Sequence, residues 1–529
     1  MTMKGLSTGC FSLPLPLLLL LGVLALLSLV SPATARRGND KYRPLVSANA
    51  LQSLIELDDL LAGAQQLEDF AYAYPERNRV FGGPAHRDTV NYLYHELSKT
   101  GYYHVYKQEQ VHLWSKTDQN LTVSGNKVDA EAMTYSPGGA VTAELAVVKN
   151  AGCDAADYPA EVAGKIALIQ RGSCTFGEKS VLAGAANAVA AMIYNNVDGS
   201  ISGTLGEPSS PLGPYVPVVG ISLKDGRDLA EQIGKGPLTA DLSVLSELQN
   251  RTTHNVIAQT KGGDPNNVVA LGGHTDSVEA GPGINDDGSG IVSNLVIAKA
   301  LTKFSVKNAV RFLFWTAEEF GLLGSEYYVS SLNATELDKI KLYLNFDMIA
   351  SPNFAIKIYD GDGSSFNQTG PPGSAEIEHL FQKYFESRHS RHFLGPHGHS
   401  YAHGPTAFDG RSDYAAFIER GIPAGGIFTG AEGIKTAEEA ELFKGEAGVA
   451  YDVNYHKAGD NMRNLNHEAF LVNSRAAAYA VVRYATSLEE IPARDASTAV
   501  RRSMRRSRGA PSGTHGHGAS GCFHSRIAV

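Results

Sequence analysis

Residues 271–290 read LGGHTDSVEAGPGINDDGSG and follow the apolar run Val268-Val269-Ala270-Leu271. A short apolar run bounded by glycines reads as a buried strand. The turn beyond it carries His274, Asp276 and the doublet Asp286-Asp287. In an open α/β sheet, ligands gather beyond the carboxyl ends of the strands, and His274 stands at such an end. Imidazole and carboxylate together suit Zn²⁺. Asp276, two residues on, shares a face of the extended chain with His274, so it can hydrogen-bond the other ring nitrogen and fix the tautomer. A single His-x-Asp turn is more often a solvated Gly/Asp loop, so the rest of the chain has to decide.

Outward from this loop, the chain beyond Asn250 alternates strands with helices. Strands are expected at 255–259, 268–271, 309–315, 341–346, 355–359 and 422–428, and helices after Gly290, Gly321, Gly373 and Asn466. That alternation specifies an α/β fold with a mixed, mostly parallel central sheet and helices on both faces. Residues 49–100 place apolar side chains at helical spacing, and 103–114 alternate as a strand that includes Trp114 as a core residue. From 124 to 245 the character changes to short strands (143–150, 164–172, 190–196, 215–222) with Gly/Pro turns and an alanine-rich helix at 180–188. This stretch holds no metal-spaced set of His, Asp and Glu, so it is assigned no chemistry.

At 529 residues, 43% apolar and 19% charged, the chain is a folded protein of more than one domain. Residues 1–35 combine Lys4, the apolar run Leu17 to Val30 and the small residues Ala33-Thr34-Ala35. They read as a secretory signal peptide, too short in its apolar part for a comfortable span. Residues 491–529 read as a flexible basic tail, with seven arginines and one acid from Arg494 onward. The net charge is −9 despite that tail, so the body is more acidic still, which argues against a nucleic-acid partner. Cys10 falls in the signal and Cys522 in the tail. In an oxidising compartment Cys153 and Cys174 are therefore the obvious bridge. Asn120, Asn250, Asn333 and Asn367 head N-x-T glycosylation acceptors, in keeping with secretion.

Three more stretches add candidate ligands: Glu318-Glu319 after the strand 309–315, Asp347 after 341–346, and Tyr455-His456 in a late loop. Adjacent glutamates at a strand end point to opposite sides, so one can bind a metal while the other faces a water. Asp286 could bridge two ions through its two oxygens. Five ligands with one shared make two three-ligand sites that each keep an open position, as catalytic zinc sites do. The segment 389–403 holds five histidines, but its Gly and Pro content favours a flexible insertion over a third metal site.

The stretches GGHTDSVEAGPGINDDGSG, FWTAEEFGLLGS, LNFDM, GRSDY and YHKAGDN closely resemble the zinc-dependent, co-catalytic di-zinc aminopeptidases. With QQLEDFAYAYPERNRVFGG at 65–83, the resemblance covers nearly the whole mature chain and is to the secreted fungal leucine aminopeptidases. Residues 124–249 resemble the protease-associated domain, a module read either as a lid or substrate-size filter or as a stabilising spacer. The resemblance implies a zinc exopeptidase fold built from 36–123 and 250–490, with the insert at 124–249. It implies two Zn²⁺ per chain, one held by His274, Asp286 and Asp347 and the other by Asp286, Glu319 and His456. Glu318 would be general base and acid toward a zinc-activated water, Tyr455 would help hold the oxyanion, Arg411 would recognise substrate backbone, and Asp276 would orient His274. Bacterial relatives often flank the last histidine with two cysteines, whereas this chain has Asn454 and Gly459 there.

The implied activity is removal of amino-terminal residues, apolar ones such as leucine among a broad range, by a monomer acting on peptides with free amino termini, with no membrane or nucleic-acid partner. The alternatives are a carboxypeptidase on the same scaffold and a receptor-like relative that has lost its metals. The intact ligand set argues against the second. Secretion is the expected fate, with the vacuolar lumen as the other destination a signal peptide allows.

Overall fold

A computed structural model describes residues 43–494, except 198, 200, 202, 207 and 387–400. The signal peptide and most of the tail and histidine-rich segment lie outside the described residues. The chain opens with helices α1 (Ala48–Gln52), α2 (Leu57–Tyr72) and α3 (Pro84–Ser98), then strand β1 (Tyr103–Val123). The insert follows as β2 (Asn126–Lys127), β3 (Ala130–Ala132), β4 (Gly139–Val147), β5 (Ile166–Gln170), α4 (Phe176–Ala185), β6 (Ala190–Tyr194), β7 (Val218–Ile221) and α5 (Leu223–Ile233). Strand β8 (Thr239–Thr260) leads back to β9 (Asp264–His274), α6 (Gly288–Leu301), β10 (Asn308–Trp315), α7 (Leu323–Ser331), α8 (Ala334–Lys339), β11 (Ile340–Phe346) and β12 (Lys357–Tyr359). The chain closes with α9 (Ser374–Glu386), β13 (Gly404–Thr406), α10 (Tyr414–Ile418), β14 (Ala424–Phe428), α11 (Ala437–Phe443) and α12 (His467–Thr486).

Strands β10, β9, β11 and β14 pair in parallel, flanked by antiparallel β8 on one side and antiparallel β12 on the other. The mixed, mostly parallel sheet read from the sequence is therefore the one found, and β8 through β12 and β14 cover the six expected strands. Register decides where the chemistry sits. Trp315 pairs with His274 and Asn345 with Gly272, so the residues that follow β9, β10 and β11 emerge side by side at one edge.

Helix α6 is buried along all but one of its fourteen residues, which is why its apolar positions show no single stripe. It packs beneath α2 and α12. A Cβ on Gly290 would sit 1.9 Å from the carbonyl of Phe346, so only glycine lets the helix start come this close to the end of β11.

Strands β1 and β8 form one long antiparallel ribbon from Tyr103/Thr260 to Val123/Ala240. One end of β8 pairs with β10 in the main sheet and the other with β4 in the insert, so a single sheet runs through both parts. Asn250 lies inside β8, opposite Leu113. Trp114 is buried with Val80, Phe81 and Ala317, a core residue as read. In the insert, β4 to β7 are parallel, and Cys153 is bonded to Cys174. The insert's helix starts at Phe176 rather than Ser180, because Thr175 and Glu178 form a capping box. Among the described residues, no helix is long and apolar enough to cross a membrane. All four glycosylation-acceptor asparagines are exposed.

Candidate metal centre and active site

At the edge where β9, β10 and β11 end, the five candidate ligands converge. His274 Nε2 lies 3.1 Å from Asp286 Oδ1 and 3.6 Å from Asp347 Oδ1. His456 Nε2 lies 3.2 Å from Asp286 Oδ2 and 3.0 Å from Glu319 Oε2. Asp286 thus turns one oxygen to each histidine. Glu318 Oε2 stands 3.8 Å from His274 Nε2. The buried oxygens Glu319 Oε1 and Asp347 Oδ1 receive no hydrogen bond. Buried carboxylates are costly unless paired or bound to a cation, so a set of this kind, rich in carboxylates around two imidazoles, fits zinc.

The electrostatics express the same crowding. Burial works against ionisation of Asp286, but hydrogen bonds from both histidines hold its carboxyl well below the usual range. Burial pushes Glu318 well above its usual range, and the charges of Asp413, Asp347 and Glu319 add to this against the pull of His274. Of the two adjacent glutamates, Glu318 faces His274 and Glu319 faces His456.

Asp276 reaches His274 mainly through its backbone. Its carbonyl is 3.3 Å from His274 Nδ1 and its carboxylate Oδ1 is 3.7 Å away. That carboxylate accepts the Glu318 N–H at 3.1 Å, so one residue ties the first ligand loop to the glutamate pair. Tyr455 stacks on the His456 ring at 3.8 Å, and its hydroxyl accepts a hydrogen bond from Arg411 at 3.2 Å. Arg411 is fixed in turn by Glu432 through two contacts of 2.8 and 3.3 Å. Arg411, Tyr455 and His456 line a cleft together with Asp286, Glu318, Glu319 and Asp347. Three non-glycine residues with left-handed backbone lie at or beside ligands, namely Ala317 (φ 53), Met348 (φ 55) and His456 (φ 56). Strain of this kind persists where the surroundings over-determine it, characteristically at functional sites.

Several contributors escaped the sequence reading. Asp287 also lies close enough to His274 and Asp347 to count as a ligand. Its oxygens are instead taken by the N–H groups of His274, Gly290 and Met348, so it frames the candidate site. Its place directly before a helical run was an N-cap signal. Ser412, inside GRSDY, donates to Asp347 Oδ2 at 2.6 Å. Arg79 is fully buried and donates to the carbonyls of Thr275, Pro282 and Gly283, lashing down the loop that carries His274 and Asp286. Those partners lie some 200 positions away, where no local pattern reveals them.

The loop bearing His456 lacks a bridge but not restraint. Asn464 donates to Asp452 and Asp460, Asn285 donates to Asp452, and Asp460 accepts the N–H groups of Asn285 and Asp286. The Asn454 side chain lies against Gly459, 2.2 Å from where a Cβ would stand, and donates to Asn464. A buried hydrogen-bond network thus couples the two loops that carry candidate ligands.

The profile of Peptidase family M28 matches residues 255–481, and that of the PA domain matches 141–229. The probable leucine aminopeptidase 2 of Aspergillus oryzae is 65% identical over 491 residues, 92% of this chain and 96% of that protein. The probable leucine aminopeptidase 2 of Aspergillus fumigatus is 63% identical over 511 residues, covering 96% and 99%. Among solved structures, an aminopeptidase from Aneurinibacillus sp. strain AM-1 superposes with a TM-score of 0.64 at 29% identity, covering 84% of this chain and 98% of that one. A zinc aminopeptidase from Bacillus subtilis shares the fold, with a TM-score of 0.57 at 24% identity over 83% and 98% of the two chains. The chain belongs to the fungal leucine aminopeptidases, metallopeptidases of family M28 with an inserted PA domain.

Proposed function

We propose that the chain is a secreted di-zinc aminopeptidase that removes amino-terminal residues, leucine and other apolar ones among them, from peptides. The observation that carries this reading is the double orientation of Asp286, with Oδ1 at 3.1 Å from His274 and Oδ2 at 3.2 Å from His456. One zinc would be held by His274, Asp286 and Asp347, the second by Asp286, Glu319 and His456. When bound, the two ions would supply Lewis acidity that polarises the scissile carbonyl and eases ionisation of a water. Glu318, outside both ligand sets, takes a proton at its carboxylate from the attacking water and returns it to the leaving amine. Tyr455, oriented by Arg411, presents its hydroxyl to the oxyanion. Arg411, itself fixed by Glu432, is positioned for the substrate backbone.

Residues 36–123 and 250–490 serve as the peptidase part, and 124–249 as the insert. Secretion rests on residues 1–35, and the bonded Cys153 and Cys174 suit an oxidising compartment. The deciding assay compares one peptide with its amino terminus free and acetylated. Release of the first residue from the free form alone supports the proposal. Cleavage from the carboxyl end would make the chain a carboxypeptidase, and zinc-free protein inert toward both forms would make it a receptor-like relative.

A further inference from the structure

Away from the metal centre, the loop Asp360-Gly361-Asp362-Gly363-Ser364 leaves the end of β12 and runs toward α9. Asp360 is fully buried, and its Oδ2 accepts the N–H groups of Ser365 and Phe366 at 3.0 and 2.9 Å. Its second oxygen, Oδ1, is buried and receives no hydrogen bond. The Asp362 carboxyl lies in the same cluster as that of Asp360. Glu378, one turn into α9 and also buried, accepts the N–H groups of Gly361 and Asp362 at 2.8 and 3.2 Å. Asp360, Asp362 and Glu378 each offer an oxygen within 4.8 Å of the other two. Among the described residues none of the three is ion-paired to a lysine or arginine; their hydrogen-bond donors are backbone N–H groups, the Ser364 hydroxyl and the Gln382 amide.

Three carboxyls grouped this closely, one of them buried with an oxygen that receives no hydrogen bond, form a setting that a cation would stabilise. Burial pushes the Glu378 carboxyl upward, and the charges of Asp362 and Asp360 add to this. All donors in the cluster are hard oxygens and none is a histidine or cysteine, which selects against zinc and for calcium, whose remaining coordination carbonyls and water can complete. We infer that Asp360, Asp362 and Glu378 form a calcium site, separate from the catalytic metals, that fastens the loop after β12 to helix α9.

The site has a route to the cleft. Tyr359 directly precedes Asp360, and the Asp360 N–H donates to the Thr406 carbonyl at 2.8 Å. Tyr359 and Thr406 both line the cleft beside the metal centre. Calcium at this position braces one wall of the substrate site from behind.

The test uses the full-length, zinc-loaded enzyme freed of calcium, titrated calorimetrically with calcium chloride and, separately, with magnesium chloride. One calcium per chain is expected, with a Kd of roughly 10⁻⁶ to 10⁻³ M, together with a higher Tm and unchanged zinc content. Asp362 is exposed, so Asp362→Asn should fold normally, yet bind calcium at least about tenfold more weakly and lose most of the Tm rise. Asp360→Asn should abolish binding. Absence of calcium binding by the wild-type chain at about 10 mM, above the weakest affinities of dedicated protein sites, would overturn the inference. So would an Asp362→Asn protein that binds calcium as tightly as wild type, or magnesium binding as strong as calcium binding.

Discussion

Replacing Arg79 by alanine should damage the metal centre without touching a ligand. The guanidinium is fully buried and donates to three carbonyls, those of Thr275, Pro282 (2.8 Å) and Gly283 (2.5 Å), all within the loop between His274 and Asp286. Its charge also faces Asp276, Asp460, Asp287 and Asp286. Alanine leaves those carbonyls without a donor at about 1–3 kcal/mol each, and water entering the cavity recovers part of that. Breaking one side of a buried charged network costs about 3–5 kcal/mol in total. For a part of this size, at about 2.1 cal/mol/K of unfolding entropy per residue, that corresponds to a melting midpoint lower by roughly 4–7 °C. Loss of such a supporting contact typically weakens metal binding about 10–100-fold. Thermal unfolding of the zinc-loaded protein and competition for zinc with a chromophoric chelator read both quantities. Arg79→Lys keeps the charge but lacks the planar fork, and should fall between wild type and alanine. An alanine variant that melts within about 2 °C of wild type and holds zinc with wild-type affinity would refute this account of the loop.

Glu318→Gln should keep both zincs and near-normal KM while kcat falls by about 10²–10⁴-fold, whereas Glu319→Gln should lose one zinc and recover part of its activity in excess metal. Metal analysis beside steady-state kinetics separates the two, and the reverse pattern would exchange their roles. His86 is buried against Thr275 and Thr316, and burial first, then Arg79 and His254, pushes its pKa down to about 3. The unfolded chain takes up a proton near 6.5 and the folded chain does not, so this stability is complete above 6.5 and is lost as pH falls toward 3, at up to about 1.4 kcal/mol per pH unit. Unfolding measured against pH should show that acid limb flattened in His86→Gln, and an unchanged slope would count against it. Ile491 packs on the core and Arg494 pairs with Asp338, so removal of residues 495–529 should leave kcat/KM and Tm within experimental scatter, with any fall in either marking a docked tail.

Much of the fold was legible because hydrophobic periodicity is a local signal. The runs at 268–271, 309–315 and 341–346 became β9, β10 and β11, and the ligands that follow them were readable as strand-end residues. Element lengths were harder. β1 continues to Val123 and β8 spans 239–260, through Asn250, because the two satisfy each other's backbone groups along their whole length, a pairing no local window contains. The short elements α8, α10, α11 and β13 carry too few residues for a periodic signature. Candidate ligands were legible as residue types, but their support was not. Arg79, Ser412 and Asp460 act across the fold on residues distant in sequence, and only the folded chain joins them.

The central claim is that one carboxylate, Asp286, is shared by two metal ions, and zinc content per chain tests it most directly. Purified full-length enzyme dialysed against limiting free zinc should retain about two zinc ions per chain, as two three-ligand sites predict. Asp286→Asn keeps the size of the side chain and removes the bridging charge, so it should retain fewer than about one, with both positions weakened together. A wild-type chain that saturates at one zinc, or an Asp286→Asn chain that still holds two, would contradict the shared-ligand account.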